Sequence, residues 1–188
     1  TTCTYYGNGM VGAGQLHQET NALGQTTFHQ YDLSGRETYT WGSATYPVAQ
    51  GYDAYGQQNL LRTFRDTNAN FAGMSFPAGA NGDTTTWSYD EATGILLQKT
   101  YADGKGPSYD YFADGKLKTR TWARKDANDN PLTTIYTYAP KGELAQVDYS
   151  DDTPDVSYTY NALGQQTSIT DGAGTRIFSY NATSLNLI

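Results

Sequence analysis

Four aspartates, Asp148, Asp151, Asp152 and Asp155, crowd into one short stretch of the sequence. Two carboxylates facing one glycosidic bond could serve as acid and base. The same residues at a hairpin tip make a solvated turn that blunts a sheet edge, and this second reading is the preferred one. Two Asp-x-Asn-x-Asn triplets, Asp66/Asn68/Asn70 and Asp126/Asn128/Asn130, resemble the opening of a calcium loop, in which alternate oxygens face the ion. Such a loop wants Gly at its sixth position and Glu at its twelfth, but the residues there are Phe71 and Pro131, then Pro77 and Thr137. Turn chemistry accounts for both triplets, so no metal site is expected. His17 and His29 stand far apart in sequence with no Gly-x-Ser-x-Gly beside them, and Cys3 has no identified base. Trp41, Trp87 and Trp122 could present flat rings to a sugar. Trp87 stands at a repeated aromatic position and reads as core, whereas Trp122 follows Arg120 on a strand. Trp41 sits in an insertion and is the ligand-binding candidate. Asn181-Ala-Thr183 matches the N-glycosylation pattern, which is common by chance.

The elements that must position these residues are tyrosine-rich. Leu, Ile, Val and Phe make up only about 15 % of the 188 residues, but 17 Tyr and 3 Trp supply apolar surface that the aliphatic count misses. Each buried aromatic ring removes roughly 150–250 Å² from water, so a folded chain with a tyrosine-built interior is expected. A net charge of −7 and a pI near 4.6 argue against a nucleic-acid groove, which needs clustered Lys and Arg. No run approaches the length of a membrane helix. One cysteine excludes an internal disulfide, and no Cys/His set has zinc spacing. The chain opens at Thr1 and closes on Leu185-Asn186-Leu187-Ile188, so it is expected to be a fragment of a larger protein.

Self-similarity dominates the sequence. Tyr158-Thr-Tyr160-Asn-Ala-Leu-Gly164 recurs as Tyr136-Thr-Tyr138-Ala-Pro-Lys-Gly142 and as Tyr109-Asp-Tyr111-Phe-Ala-Asp-Gly115, with variants at Trp87–Gly94 and Phe178–Ser184. Shorter copies begin at Tyr31 and Tyr52. The repeat tyrosines 31, 52, 89, 111, 138, 160 and 180 are separated by steps of 21, 37, 22, 27, 22 and 20. Aromatics at i and i+2 share a face only in a strand. The Asp/Asn-x-x-Gly that follows is a turn, with the side chain bonding the backbone ahead and Gly at the exit. A second turn then reverses the chain, so each period of about 20–22 residues makes two strands. Consecutive tyrosines are expected to stack as cross-strand ladders. Insertions fall near 41–50 and 68–86, the latter containing a Gly- and Ala-rich loop.

The Tyr-Asp-x-x-Gly-Arg of Tyr31–Arg36, the Tyr-Asn-Ala-Leu-Gly-Gln of 160–165 and the Asp-Ala-Asn-Asp-Asn-Pro of 126–131 resemble the YD-repeat (RHS-repeat) family, over roughly residues 5 to 184. That family includes RHS toxins, Tc toxin shell components, wall-associated proteins and teneurins. The resemblance implies an all-β fold: a curved antiparallel strip of repeated hairpins, part of a shell-like or solenoid-like sheet, in a single region spanning 1–188. The family's autoproteolytic Asp-Pro-x-Gly motif is missing, since Thr153-Pro154-Asp155 does not match it, and no toxin domain is present within residues 1–188.

The expected function is structural. The chain would be a wall segment of a secreted or surface bacterial repeat protein, casing a toxic cargo or building an extracellular scaffold. No catalytic residue and no cofactor are implied. Its partners would be the rest of the parent chain, an enclosed C-terminal cargo or further copies in an assembly. The alternative is a carbohydrate- or protein-binding module in which Trp41 and the Asn68–Thr86 loop contact a glycan or protein. A carbohydrate-active enzyme built on the aspartate cluster ranks last.

Overall fold

The computed structural model describes residues 1–65 and 69–188, in which every regular element is a β-strand. The chain separates into two compact units, Thr1–Ser88 with Lys99–Gly104, and Tyr89–Gln98 with Lys105–Ile188. In both units, strand order follows chain order and neighbouring strands run antiparallel. The early strands are β1 (Thr2–Tyr5), β2 (Leu16–Thr20), β3 (Thr26–Tyr31), β4 (Glu37–Gly42), β5 (Val48–Tyr52), β6 (Gln58–Thr63) and β7 (Asp83–Tyr89). β8 (Leu96–Thr100) and β9 (Ser108–Tyr111) precede β10 (Leu117–Lys125), β11 (Pro131–Tyr138) and β12 (Leu144–Tyr149). β13 (Val156–Tyr160), β14 (Gln166–Asp171) and β15 (Gly174–Ile177) complete the series. No helix among the described residues is long and apolar enough to cross a membrane.

The turns form as their residue types dictate. The Asn161 carboxamide oxygen accepts the backbone N–H of Leu163 and of Gln165, both at 3.0 Å. Gly164 then adopts φ +77°, which a side chain would strain, and its N–H donates to the Asn161 carbonyl. This is a type I turn closed by a left-handed residue, the common three-residue hairpin loop. Asn21, Asp32 and Asp53 repeat the same pair of side-chain bonds. Asp126 does likewise, and there a non-glycine, Asp129, takes the left-handed position at φ +65°. In three of the five cases, the Asp32, Asp53 and Asn161 turns, the entering strand ends on the repeat tyrosine, where the ladder slips register, as between Thr159 and Tyr160.

The turn carboxylates are tuned by these bonds. The Arg36 backbone N–H holds Asp32 below the ordinary carboxylate value, and the Asn130 side chain does the same for Asp126. The Thr93 side chain acts in this way on Asp90, and Lys116 on Asp114. A pKa lower in the folded chain means the folded state gives up its proton more readily than the unfolded one. The stability gained is therefore present above the unfolded value, about 3.9, and is lost as pH falls through it toward the folded values. Amide exchange followed from pH 7 to pH 3 should show the Asp32, Asp90, Asp114 and Asp126 turns opening first. The Asn21 and Asn161 turns, which carry no titrating group at that position, should hold.

The repeat tyrosines do not stack on one another as the ladder expectation required. They stand on alternate strands, hence roughly 9–10 Å apart, beyond the 4.5–7 Å at which rings pair. Five of them instead send the hydroxyl back to an earlier strand. Tyr52 donates to the Glu37 carbonyl at 3.0 Å, Tyr111 to Leu96 at 2.8 Å and Tyr138 to Leu117 at 3.0 Å. Tyr160 donates to Leu144 at 2.9 Å and Tyr180 to Gln166 at 2.8 Å. Each of these five acceptors lies two residues beyond the closing Gly of an earlier turn, so these five tyrosines each fasten the turn behind them. Tyr138→Phe should cost about 0.5–1.5 kcal/mol, because it leaves a part-buried carbonyl without its donor. Tyr158→Phe, which removes no such bond, should cost much less. Urea midpoints of the two variants make the comparison.

In the first unit the core is Phe28, Trp41, Ala49 and Phe64, all under 8 % exposed. Phe28 and Trp41 are cross-strand partners on β3 and β4, with ring centroids 5.5 Å apart. The Gly- and Ala-rich segment over 69–82 is a loop, as expected, and it packs onto this core. Phe76 lies 4.5 Å from Tyr39, 5.7 Å from Trp41 and 5.1 Å from Phe64. Residues 41–50, where an insertion is expected, hold the end of β4, a short reversal and the start of β5. In the second unit Pro107, Leu132, Thr134 and Val147 are buried, and alternation places the three strand residues on one face.

Candidate functional site

β9, β10, β11 and β12 carry Tyr109, Arg120, Thr134 and Tyr149 as consecutive cross-strand partners, so the four side chains form one row on one face of the second unit. Tyr136 and Val147 form the next pair on that face. The opposite face reads Ser108, Thr121 and Thr133, with Ile135 46 % exposed. Strand alternation thus separates an aromatic face from a hydroxyl-rich one.

Trp122 is the centre of the aromatic face. Its indole N–H donates to the Thr134 hydroxyl at 2.9 Å, which fixes the ring; Thr134 itself is 1 % exposed. The Arg120 guanidinium carbon lies 3.7 Å over that ring and 5.8 Å from the ring of Tyr109. The Arg124 guanidinium stands 5.6 Å from the same ring and pairs with Asp151 at 3.2 Å. Burial raises the Tyr136 phenol above its ordinary value, and the positive charge of Arg120 works against that rise. Beside this face, an open groove of about 630 Å³ runs between the turns at 112–116 and 138–142, lined by Phe112, Lys116, Tyr138 and Pro140. Lys116 sits 5.5 Å over the Tyr138 ring and Lys118 5.8 Å over Phe112. Stacked cations and ring faces can hold a planar or anionic group.

The residues singled out from the sequence fall elsewhere. Trp41 is 2 % exposed, with its indole N–H donating to the Gly73 carbonyl at 2.9 Å, so its ring supports the core and offers no face to a ligand. The loop expected to help it bind a partner is what covers it. The aspartate cluster disperses into local bonds. Asp148 accepts from the Gln146 side chain, Asp155 from the Tyr149 N–H at 2.8 Å, and Asp151 from the Thr153 N–H and Arg124. Hydrogen bonding from Thr153 holds Asp151 low, the reverse of what a general acid needs. Of the calcium-like triplets, Asp126/Asn128/Asn130 is a turn, Asn70 accepts the Ala72 N–H at 3.1 Å, and Asp66 and Asn68 lie outside the described residues. Among the described residues no group of three His, Cys, Asp or Glu is placed to hold a metal. His29 pairs with Glu37 at 2.5 Å, His17 packs against Tyr6 and Cys3 is exposed. Trp122 and Arg120 were visible in the sequence as neighbours on a strand, and their i, i+2 spacing was the signal for a shared face.

No family model and no curated protein matches the chain. Among solved structures it is similar to chains of the TcdB2-TccC3 complex, at 17 % identity and a TM-score of 0.34 over 89 % of this chain. The same complex without its hypervariable C-terminal region aligns over 90 % at 16 % identity and a TM-score of 0.34. The Photorhabdus luminescens Tc holotoxin pore aligns over 93 % at 17 % identity and a TM-score of 0.34. In each case the chain spans about 12 % of the length of the solved chain.

Proposed function

We propose that the chain is a wall segment of a larger secreted or surface protein, its strip of hairpins serving as casing or scaffold. The observation that carries this reading is the tyrosine fastening, made by Tyr52, Tyr111, Tyr138, Tyr160 and Tyr180, which recurs along the chain and converges on no single centre. Coupling of that kind makes an extended surface whose stability is a sum of neighbour terms. The YD-repeat resemblance of the sequence agrees with it. Unpaired edge strands favour continuation into more chain or further copies. Light scattering with negative-stain imaging tests the reading. Closed particles or filaments of many copies are the expected result, whereas a compact 20.6 kDa monomer would overturn the wall in favour of a binding module.

A further inference from the structure

Asn181-Ala-Thr183 is the one Asn-x-Ser/Thr triplet in the 188 residues, and it heads a turn of the second unit. The Asn181 carboxamide oxygen accepts the backbone N–H of Thr183 at 2.9 Å and of Ser184 at 2.8 Å. Its backbone carbonyl accepts the Leu185 N–H at 2.8 Å, and Leu185 takes the left-handed position at φ +59°. Asn21 and Asn161 head turns in a similar manner, but a glutamine four residues on holds each of their amide nitrogens. Nδ2 of Asn21 donates to Gln25 at 2.9 Å, and Nδ2 of Asn161 to Gln165 at 2.7 Å. At Asn181 that fourth position is Leu185, and neither Nδ2 nor the Thr183 hydroxyl has a partner among the described residues. Both residues are exposed. A carboxamide fixed through its oxygen thus presents a free amide NH2 to solvent, two residues before a free hydroxyl.

We propose that Asn181 is a modification site that takes one oligosaccharide, transferred whole from a polyprenyl diphosphate carrier by a transferase that reads the triplet. The bond from Nδ2 to the anomeric carbon forms as the bond from that carbon to the diphosphate oxygen breaks. The diphosphate leaves with the electron pair, and the amide proton passes to a base of the transferase. The turn also offers something for a hydrophilic chain to shield. Leu185, Leu187 and Ile188 are 49, 59 and 77 % exposed. Backbone bonds tie Leu185 to Asn181 and Leu187 to Tyr180, so a glycan on Asn181 stands beside this apolar cluster and screens it. Transfer belongs to the export route, so the site acts in the cell only under the secreted or surface reading. A purified transferase needs no export, so failure of the site and failure of that reading are distinguishable.

The test gives the folded 188-residue chain to a purified single-subunit oligosaccharyltransferase that requires only Asn-x-Ser/Thr, with its polyprenyl diphosphate-linked oligosaccharide. Mass spectrometry reads the number and position of glycans. One glycan on Asn181 is expected, absent in Asn181→Gln and in Thr183→Ala, whose circular dichroism should match that of the parent. Leu23→Thr, at a position 83 % exposed, completes a second triplet on Asn21. That site should react about fivefold more slowly in the folded chain, because its Nδ2 must first leave Gln25. Adding Gln25→Ala should remove the lag. A folded chain left unmodified while the synthetic peptide Phe178–Ile188 is modified overturns the proposal, because the turn then conceals its amide. No transfer to either also overturns it. Equal rates at Asn181 and at the new Asn21 site overturn it as well, since the free Nδ2 would then confer nothing.

Discussion

Trp41→Ala should cost the first unit about 3–5 kcal/mol, the range for removing a fully buried aromatic. Three partners lose contact at once. Phe28 loses its stacked neighbour at 5.5 Å, Phe76 loses an edge contact at 5.7 Å, and the Gly73 carbonyl loses its donor at 2.9 Å. The cavity cannot close by local collapse, because Phe28 and Ala49 are fixed to the ladder. Trp41→Phe restores ring volume and should recover much of the loss. Urea unfolding followed by circular dichroism, with Trp122→Ala as the comparison, checks this. A binding assay on Trp41→Ala would report unfolding of the first unit and say nothing about a ligand.

Gly42→Ala should be nearly as damaging, at about 2–4 kcal/mol. The residue has φ +142°, where side chains are strained, and a Cβ built on it would meet the Thr26 carbonyl oxygen at 2.1 Å and the Thr27 Cα at 3.0 Å. These are backbone atoms with nowhere to go. The Ala44 N–H donates to the Thr26 carbonyl at 3.0 Å, and the Ser43 hydroxyl accepts the Thr26 N–H at 2.9 Å, so the chain is drawn tightly over Thr26. Gly7→Ala, where a Cβ meets nothing within 4 Å, is the matched control. A melting temperature lowered in Gly42→Ala and unchanged in Gly7→Ala is the expected outcome.

What the sequence made legible was local. Asn161 and Gly164 carry their turn within five residues, and the strands on either side announce themselves by alternating aromatic and hydroxyl residues. Within each unit, antiparallel hairpins in chain order follow from such pieces because consecutive strands pair. The illegible features depend on distant chain. Trp41 is buried by a segment 32 residues away, and nothing near Trp41 says so. The tyrosine hydroxyls reach carbonyls 14 to 21 residues back, a bond that strand spacing selects over ring stacking. Asn181 reads in the sequence as one more turn asparagine, and only the bonds around it show its Nδ2 free where those of Asn21 and Asn161 are held.

The tyrosine fastenings all point one way, from a later repeat to an earlier one. Synthesis runs in the opposite sense, so a repeat leaving the ribosome folds its turn first and receives the closing hydroxyl only when its successor emerges. At each of these five points the growing front carries an open carbonyl that is shut when the tyrosine behind it in synthesis arrives. Folding of such a chain advances as a ratchet whose pawl is a phenol. Cutting within the strip is accordingly asymmetric: the upstream product keeps a turn with its latch missing, and the downstream product keeps a latch with nothing to catch.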